Sequence, residues 1–391
     1  MQNSISTYPY TVETTDNTFT IHLAHIEMAK IYSSVMVMGP PLGDKLIRLV
    51  AHLFSPGEAE LCRHLTFFYL RSPGKVARMS GRNIDEVILI LDVLSQRRVI
   101  HKSRDKYILY PMIPGIFEYI LMTGKDTVWH RRYASLINDL FSTGYIREYL
   151  TRPINAVRNI PVQQVIENKN HIINADLMSE MIDAHDHFAV LHHCPCRQAA
   201  YITGNPCKRA TVNDGCLILG DFSRITVQSG NGRKVSKEEM KDIVVERWEK
   251  NLVFLTSNVS PSIQNVICTC CDCCCHGLEV FNQFSNKFMA PPHYMVEVDE
   301  SLCNHCGKCA MICNTNAHTF KDKKHHFNVS KCIGCGNCID SCTRHALKLI
   351  ENKNYKPPPK NYTRLLMKML PPITLMGIKI KFSRYWRKQF H

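Results

Sequence analysis

The chain has 391 residues, 45% of them hydrophobic, which is ample for two or three domains with packed cores. Lys and Arg outnumber Asp and Glu by 48 to 34, a formal net charge of +14. Nineteen cysteines spread along so long a chain exclude a small secreted disulfide scaffold.

Residues 1–40 read as a polar extension running into mixed apolar sequence. The opening MQNSISTYPYTVETTDNTFT has neither a basic start nor an apolar core, so no signal peptide is expected. Over 41–115, Ser55-Pro56-Gly57-Glu58 has the pattern of a helix start, followed by EAELCRHLTFFYL at near-helical apolar spacing. Cys62 falls within that predicted helix among apolar neighbours and reads as an inert core cysteine. KVARMSG predicts a short helix ending at Gly81, and Asn83 is placed to cap IDEVILILDVLSQRRV. VIHKSRDKYILYP then predicts two short strands around a charged turn.

Helix–turn–helix followed by a hairpin resembles a winged-helix domain, a fold that often binds DNA. Arg78, Arg82, Arg97, Arg98, Lys102, Arg104 and Lys106 could meet phosphates. Against DNA, the second helix carries Asp85, Glu86 and Asp92 and has no Arg, Gln or Lys in its first turns, where base edges are read. A packing or partner-docking module is therefore the favoured reading of this domain.

Residues 116–193 are expected to form a mainly helical connector, with breaks at Gly124, Pro153 and Pro161. His185, His187, His192 and His193 at its end are expected to be ordinary core or surface histidines rather than ligands.

Residues 194–293 form a cysteine-rich stretch. Cys194, Cys196, Cys207 and Cys216 lie within 23 residues, with Arg197, Lys208 and Arg209 beside them to offset thiolate charge. Cys268, Cys270, Cys271, Cys273, Cys274 and Cys275 then crowd into eight residues, a run expected to lie in an irregular loop. These ten thiols suit one or two further metal centres, iron–sulfur or zinc. Either each segment holds its own centre or the two share one. Between them, Ser236-x-x-Glu239 predicts a capped helix carrying Met240, Ile243, Val244 and Trp248 on one face, and NLVFLTSN predicts a strand or buried turn.

Residues 294–350 contain one cysteine pattern twice, 29 positions apart: Cys303-x2-Cys306-x2-Cys309-x3-Cys313 and Cys332-x2-Cys335-x2-Cys338-x3-Cys342. Ala317 and Ala346 extend the repeat, and Gly307, Gly334 and Gly336 supply the backbone freedom that a tight thiol loop requires. Zinc sites usually come as paired C-x2-C units instead. This seventh of the chain resembles the bacterial two-cluster ferredoxins, in which the fourth cysteine of each copy ligates the other cluster. The resemblance implies two [4Fe–4S] clusters. One would be held by Cys303, Cys306, Cys309 and Cys342, the other by Cys332, Cys335, Cys338 and Cys313. It departs from the family at Asn314 and Thr343, where proline usually follows the fourth cysteine. Two oxidised clusters of charge about −2 each would bring the net charge near +10 (roughly, from iron, sulfide and thiolate charges).

The tail, 351–391, carries Lys353, Lys356, Lys360, Arg364, Lys368, Lys379, Lys381, Arg384, Arg387 and Lys388, interleaved with Leu365, Leu366, Met369, Leu370, Ile373, Trp386 and Phe390. Such a tail suits an anionic membrane surface or an acidic partner, or packs back on its own protein. Its double proline is expected to exclude one long helix.

The expected fold is thus α+β and multidomain. No stretch of about 18 uninterrupted apolar residues is present, so the expected location is cytoplasmic, with peripheral membrane association through the tail. The leading functional reading is an electron-transfer iron–sulfur protein that serves redox partners in an anaerobic system. Its middle cysteines resemble those of multi-cluster iron–sulfur proteins of strict anaerobes. No glycine-rich dinucleotide or phosphate-cradling motif is present. Two other readings stand beside it: a redox-sensing winged-helix transcription regulator, and an enzyme with an unusual cluster at Cys268–Cys275.

Overall fold

A computed structural model describes residues 10–12, 19–150, 153–162, 178–283 and 286–389. It is mixed, 47% helical and 16% strand, an α+β chain. Two compact units divide it, residues 1–149 with 377–391, and residues 150–376. Parts of the expected N-terminal extension and of the expected connector, and Phe390 of the tail, lie outside the described residues.

The first unit begins with paired strands β1 (Tyr10–Val12) and β2 (Phe19–Ile21) and helices α1 (Leu23–Tyr32) and α2 (Asp44–Leu53). Helix α3 (Pro56–Cys62) starts in a full capping box, Ser55 Oγ accepting from the Glu58 N–H while the Glu58 carboxylate accepts from the Ser55 N–H. It stops earlier than expected. The Thr66 hydroxyl takes the Phe68 N–H and the Thr66 carbonyl takes the Leu109 N–H, so the chain turns extended and leaves Phe68 and Tyr69 exposed. Helix α4 (Pro73–Ser80) ends at Gly81 in the left-handed region, and Asn83 caps α5 (Ile84–Gln96) through the Asp85 N–H. Strands β3 (Ile100–Ser103) and β4 (Lys106–Leu109) pair as the expected hairpin, and Arg71 bridges to Tyr107 as a third edge. Cys62 is fully buried, and burial pushes its thiol far above the usual range. Helices α6 (Phe117–Leu121) and α7 (Val128–Phe141) complete this part.

The second unit is built on a six-stranded antiparallel sheet. In chain order it comprises β5 (Val157–Ile160), α8 (Met178–Asp183), β6 (Phe188–Leu191), α9 (Pro195–Ile202), β7 (Leu217–Leu219), α10 (Asp221–Gln228), β8 (Gly232–Val235), α11 (Lys237–Glu249), β9 (Val253–Ser257), β10 (Val266–Cys270) and α12 (His276–Gln283). The sheet order is β5-β9-β10-β7-β6-β8. Two strands thus stand in the stretch expected to be mainly helical. Phe-Ala-Val-Leu at 188–191 is a short, wholly buried apolar run, a pattern whose periodicity does not separate strand from helix. Ser236 caps α11 by accepting from the Glu239 N–H.

Strand alternation gives the sheet two chemically different faces. Phe188, Val190, Leu217, Leu219, Val235, Phe254 and Ile267 pack with Met181, Met240 and Ile243 of the helices into one core. On the other face Val253, Leu255, Cys268 and Cys270 meet Leu278 and Phe281 of α12.

The first thiol-bearing segment, 194–216, contributes one side of a buried ion pair. Asp214 contacts Arg247 and Lys250, and both Asp214 and Arg247 side chains are almost fully buried. Burial would raise the Asp214 carboxyl, but the Thr211 N–H, Arg247 and Lys250 outweigh it and hold it below its usual value.

Four further strands follow: β11 (Tyr294–Val298), β12 (His318–Lys321), β13 (Lys324–Phe327) and β14 (Leu347–Glu351), with short helices α13 (Lys308–Ile312) and α14 (Asn337–Asp340). β11 pairs with β14, and β12 with β13. The tail is one helix, α15 (Tyr362–Gln389), running through Pro371 and Pro372, which corrects the expectation of a break. The carbonyls that lose a donor belong to Met367 and Lys368, both at exposed positions where water can satisfy them, while Leu365, Met376 and Ile380 are buried. No helix among the described residues is long and apolar enough to cross a membrane.

Arg247→Met should destabilise the protein by about 3–5 kcal/mol, since it leaves Asp214 buried with only Lys250 beside it. Urea unfolding measures this, and an unchanged midpoint would contradict it. Because the folded-state value is depressed, the Asp214 contribution is complete above its unfolded value of about 3.9. It is lost as the pH falls through the lower folded value.

Candidate metal centres

The repeated cysteine pattern folds as two equivalent halves. Gly307 and Gly336 cap α13 and α14 with φ of 76° and 86°, and Gly334 has φ 68°. A Cβ on Gly334 would sit 2.0 Å from the Tyr294 carbonyl oxygen, so only glycine fits there. Its counterpart 29 positions earlier is His305, also left-handed at φ 56°. The equivalence runs further than the cysteines. Asp299 accepts from the Ser301 N–H and hydroxyl, as Asn328 does from Ser330. The Asp299 N–H donates to Ala346 O, and the Asn328 N–H donates to Ala317 O, so each half is pinned to one of the two repeat alanines. Both alanines are buried. Sliding the sequence on itself by 29 would have exposed the Asp299/Asn328 and Ser301/Ser330 pairs.

One cavity is lined by Cys303, Cys306, Cys309 and Cys342 together, the last from the second half. Cys313, from the first half, instead adds its charge to Cys332, Cys335 and Cys338. The fourth cysteine of each copy therefore stands with the other copy's triple. Burial pushes the Cys309 thiol up to about 11 and the Cys335 thiol up to about 12, with neighbouring thiols adding to both shifts. Three histidines that sequence reasoning did not single out stand near the thiols of the first cavity, and His325 lines it. His305 Nδ1 lies 3.8 Å and His325 Nδ1 3.9 Å from Cys303 Sγ, and His318 Nδ1 is 2.8 Å from His325 Nε2. Cys309, His318 and His325 are close enough together to hold an ion. Both ring nitrogens of His325 are engaged, one with His318 and one with Cys303, which makes it a support of that thiol, while His318 Nε2 is buried without a partner.

Asn314, where the ferredoxin pattern usually has proline, is 1% exposed and fully engaged. Its Oδ1 accepts from the Asp272 N–H at 3.0 Å, and its Nδ2 donates to the Asn251 carbonyl at 2.8 Å. Proline there would forfeit both, and with them the bond to the turn between Cys271 and Cys273.

The ten middle thiols divide in a way that neither expected grouping anticipated. The run is not wholly irregular: Cys268 and Cys270 lie on β10, and the remaining four follow in a turn leading to α12. Cys207 from the first segment joins Cys271, Cys273 and Cys274 from the second, all four Sγ atoms lying within 4.8 Å of one another. Their Sγ separations include 3.1 Å for Cys271–Cys274, 3.5 Å for Cys207–Cys271 and 3.6 Å for Cys207–Cys273. A tetrahedral ion with bonds of about 2.3 Å places its sulfurs roughly 3.8 Å apart, so this set fits one ion. Hydrogen bonds from Cys271 and Cys274 hold the Cys207 thiol far below its usual range, and the Lys208 N–H lies 3.4 Å from Cys273 Sγ.

The other six form a second group. Each of these thiols acts on the next, in the order Cys194, Cys196, Cys275, Cys270, Cys268 and Cys216. Along that chain the thiols alternate, Cys194, Cys275 and Cys268 held below their usual range by neighbouring S–H groups, and Cys196, Cys270 and Cys216 pushed above it. Strand register explains the meeting. Ile267 faces Leu217 across β10 and β7, which brings Cys216 beside Cys268. Cys194 occupies the N-cap position of α9 and Cys275 lies just before α12, whose Gly277 and Leu278 N–H groups lower its thiol, so helix ends face this charge.

Arg197, 1% exposed, stands between the two groups. Its Nη1 donates to Asp214 O at 2.6 Å and its Nη2 to Thr269 O at 2.5 Å. Burial alone would weaken its charge, but Cys194 on one side and Cys271 and Cys207 on the other outweigh it and keep it protonated. Arg209 pairs with Asp272 at 2.7 Å. The earlier histidines gather at no ion site among the described residues: His185 bonds to Met181 O, His187 meets Arg224, and His192 and His193 line a separate cavity with Arg233.

Residues 295–343, about an eighth of the chain, match the model of the 4Fe-4S dicluster domain. No curated protein and no solved structure matches the chain. The matched segment is a ferredoxin-like iron–sulfur domain, and with the cysteine groups around it the chain carries the features of iron–sulfur electron transfer.

Thiols must lose their protons before they bind metal. Reconstitution of metal-free protein with iron and sulfide should therefore go further at about pH 9 than at about pH 7, since the raised Cys309 and Cys335 thiols resist ionisation. Absorbance in the charge-transfer region follows loading, and the opposite order would contradict it.

Proposed function

We propose that this protein transfers electrons through two [4Fe–4S] clusters in residues 294–350 and passes them to or from the cysteine-bearing face of the sheet. Cys303, Cys306, Cys309 and Cys342 would hold one cluster, and Cys332, Cys335, Cys338 and Cys313 the other. The observation that carries this reading is a shared apolar wall. Ile333 and Cys335 pack in the same cluster of side chains as Cys268, Cys270 and Cys275, together with Val253, Leu255 and Leu278. Thiols of the ferredoxin-like segment and of the sheet thus border one water-excluding layer, which keeps centres close and their charges unscreened.

The clusters would supply the redox chemistry, and the chain's part is to set where it happens. Backbone N–H groups, Arg197 and the histidines beside Cys303 stabilise negative charge at the sulfurs, and such donors raise a potential. The four-thiol set of Cys207, Cys271, Cys273 and Cys274 would hold a single zinc ion that fixes the turn.

The first unit serves partner docking in this reading. Its α3–α5 and hairpin elements have the winged-helix order, but Arg82, Arg97 and Lys102 are engaged with Glu60 and Glu86, Glu58, and Asp92 respectively. Helix α5 instead exposes Leu89 and Val93, a surface suited to a protein and not to phosphates. Helix α15 exposes Leu366, Met367, Leu370 and Ile378 among its lysines, which supports docking on an anionic surface.

Protein purified without oxygen should contain about eight irons and as many acid-labile sulfides in the ferredoxin-like segment, and Cys303→Ser should remove about four. Dithionite reduction should bleach the visible absorbance and produce an EPR signal. Protein without labile sulfide would contradict the reading.

A further inference from the structure

Six thiols exceed what a cubane needs. A [4Fe–4S] cluster takes four protein ligands, and a zinc ion also takes four. Cys194, Cys196, Cys216, Cys268, Cys270 and Cys275 are nevertheless one continuous group: the β7–β10 register sets Cys216 beside Cys268, Cys268, Cys270 and Cys275 share one cluster of side chains, and each thiol feels its neighbour, with the ends, Cys194 and Cys216, within reach of each other's charge. Cys194, Cys216 and Cys275 are buried, the other three half-buried, and all six are free thiols.

The spacing excludes a compact ion site. Among the described residues the thiols gathered tightly enough for a single ion are those of the Cys207 set and Cys309 with its two histidines. The six form a series of neighbours with no such knot. A two-zinc centre on six cysteines shares thiolates between the ions and would draw them into two tight tetrahedra. Such a series calls for a wide occupant.

We propose that these six thiols form a single site for an iron–sulfur cluster of about eight irons, two cubane halves joined by one shared sulfide (about four irons in each half). The ligand count closes. Each iron of a cubane binds three cluster sulfides and one outer ligand, so two halves have eight outer positions. Six protein thiolates fill six of them, and one bridging sulfide fills the remaining two, one on each half. The environment matches the larger charge. Arg197 lies between Cys194 and the Cys207 set, and two N–H groups at the start of α12 face Cys275. Cys268, Cys270 and Cys275 border the apolar layer that Cys335 also lines. The site deepens the electron-transfer reading, on which it rests, by giving the relay an inner end able to take up more than one electron.

Native mass spectrometry of the full chain, prepared without oxygen, counts irons and sulfides separately. The expected mass shows about eight irons and nine sulfides beyond those of the ferredoxin-like segment. In the Cys268→Ser/Cys275→Ser variant that whole increment should vanish, halving the iron, while the ferredoxin EPR signals persist. An increment of four irons and four sulfides, or of zinc alone, would overturn the proposal. The Cys303→Ser/Cys332→Ser variant separates the two readings: it should lose the ferredoxin irons and keep the inner increment, and a wild-type protein with the inner increment but no ferredoxin irons would sink only the earlier reading. Mössbauer spectra of the wild type need no variant to fold. Half the iron intensity should fall outside the ferredoxin cubanes, and a spectrum of ordinary cubanes alone would overturn the eight-iron site.

Discussion

Thiolate charge inside an apolar wall is the constraint on which the second unit depends. Eighteen of the nineteen cysteines lie between residues 194 and 342, five of them buried and eleven half-buried, and an uncompensated buried anion is among the costliest features a fold can hold. The surrounding structure is organised to meet that cost. Helices α9 and α12 begin at Cys194 and Cys275, tight glycine loops lead into α13 and α14 beside the repeat thiols, and a buried guanidinium stands between the two middle groups. Arg197 is held in turn by the Asp214 and Thr269 carbonyls, and Asp214 is anchored by Arg247 and Lys250. A charge in α11 therefore bears on thiols more than thirty positions away in the chain.

The sheet converts this electrostatic problem into geometry. Its one face is filled by an ordinary aliphatic core, so the other is free to carry cysteines at alternate positions of β10. Asn314 then ties the ferredoxin-like segment to the turn at Asp272, and Asn337 donates to the Leu252 carbonyl beside β9. These bonds fix the repeat against the thiol-bearing face. Proline at position 314 would have stiffened one loop; asparagine there joins two.

What the sequence made legible was local. The ferredoxin-like repeat could be read because its cysteines recur at spacings of two and three residues. The caps at Ser55, Asn83 and Ser236 could be read because a cap is decided within four residues. The division of the ten middle thiols could not. Cys207 joins Cys271 across 64 positions, and Cys216 meets Cys268 only through the register of β7 on β10, a long-range pairing no local pattern encodes. The strand at 188–191 was hidden for the related reason that four buried apolar residues carry no period. The tail misled because Pro371 and Pro372 suggest a break, yet their lost bonds fall where solvent can replace them. His305, His318 and His325 gave no signal by spacing, since it is the β12–β13 hairpin that carries His318 and His325 back to the first cavity.

The central claim is that the ferredoxin-like clusters and the thiol-bearing sheet face belong to one electron path. Magnetic coupling measures it most directly. In fully reduced Cys303→Ser protein, where the other ferredoxin-like cluster is gone, the EPR signal of the cluster at Cys332, Cys335, Cys338 and Cys313 should be broadened and relax fast through a neighbouring paramagnet, and should sharpen and saturate readily when Cys268 and Cys275 are serine as well. Identical, slowly relaxing spectra from both proteins would contradict the account.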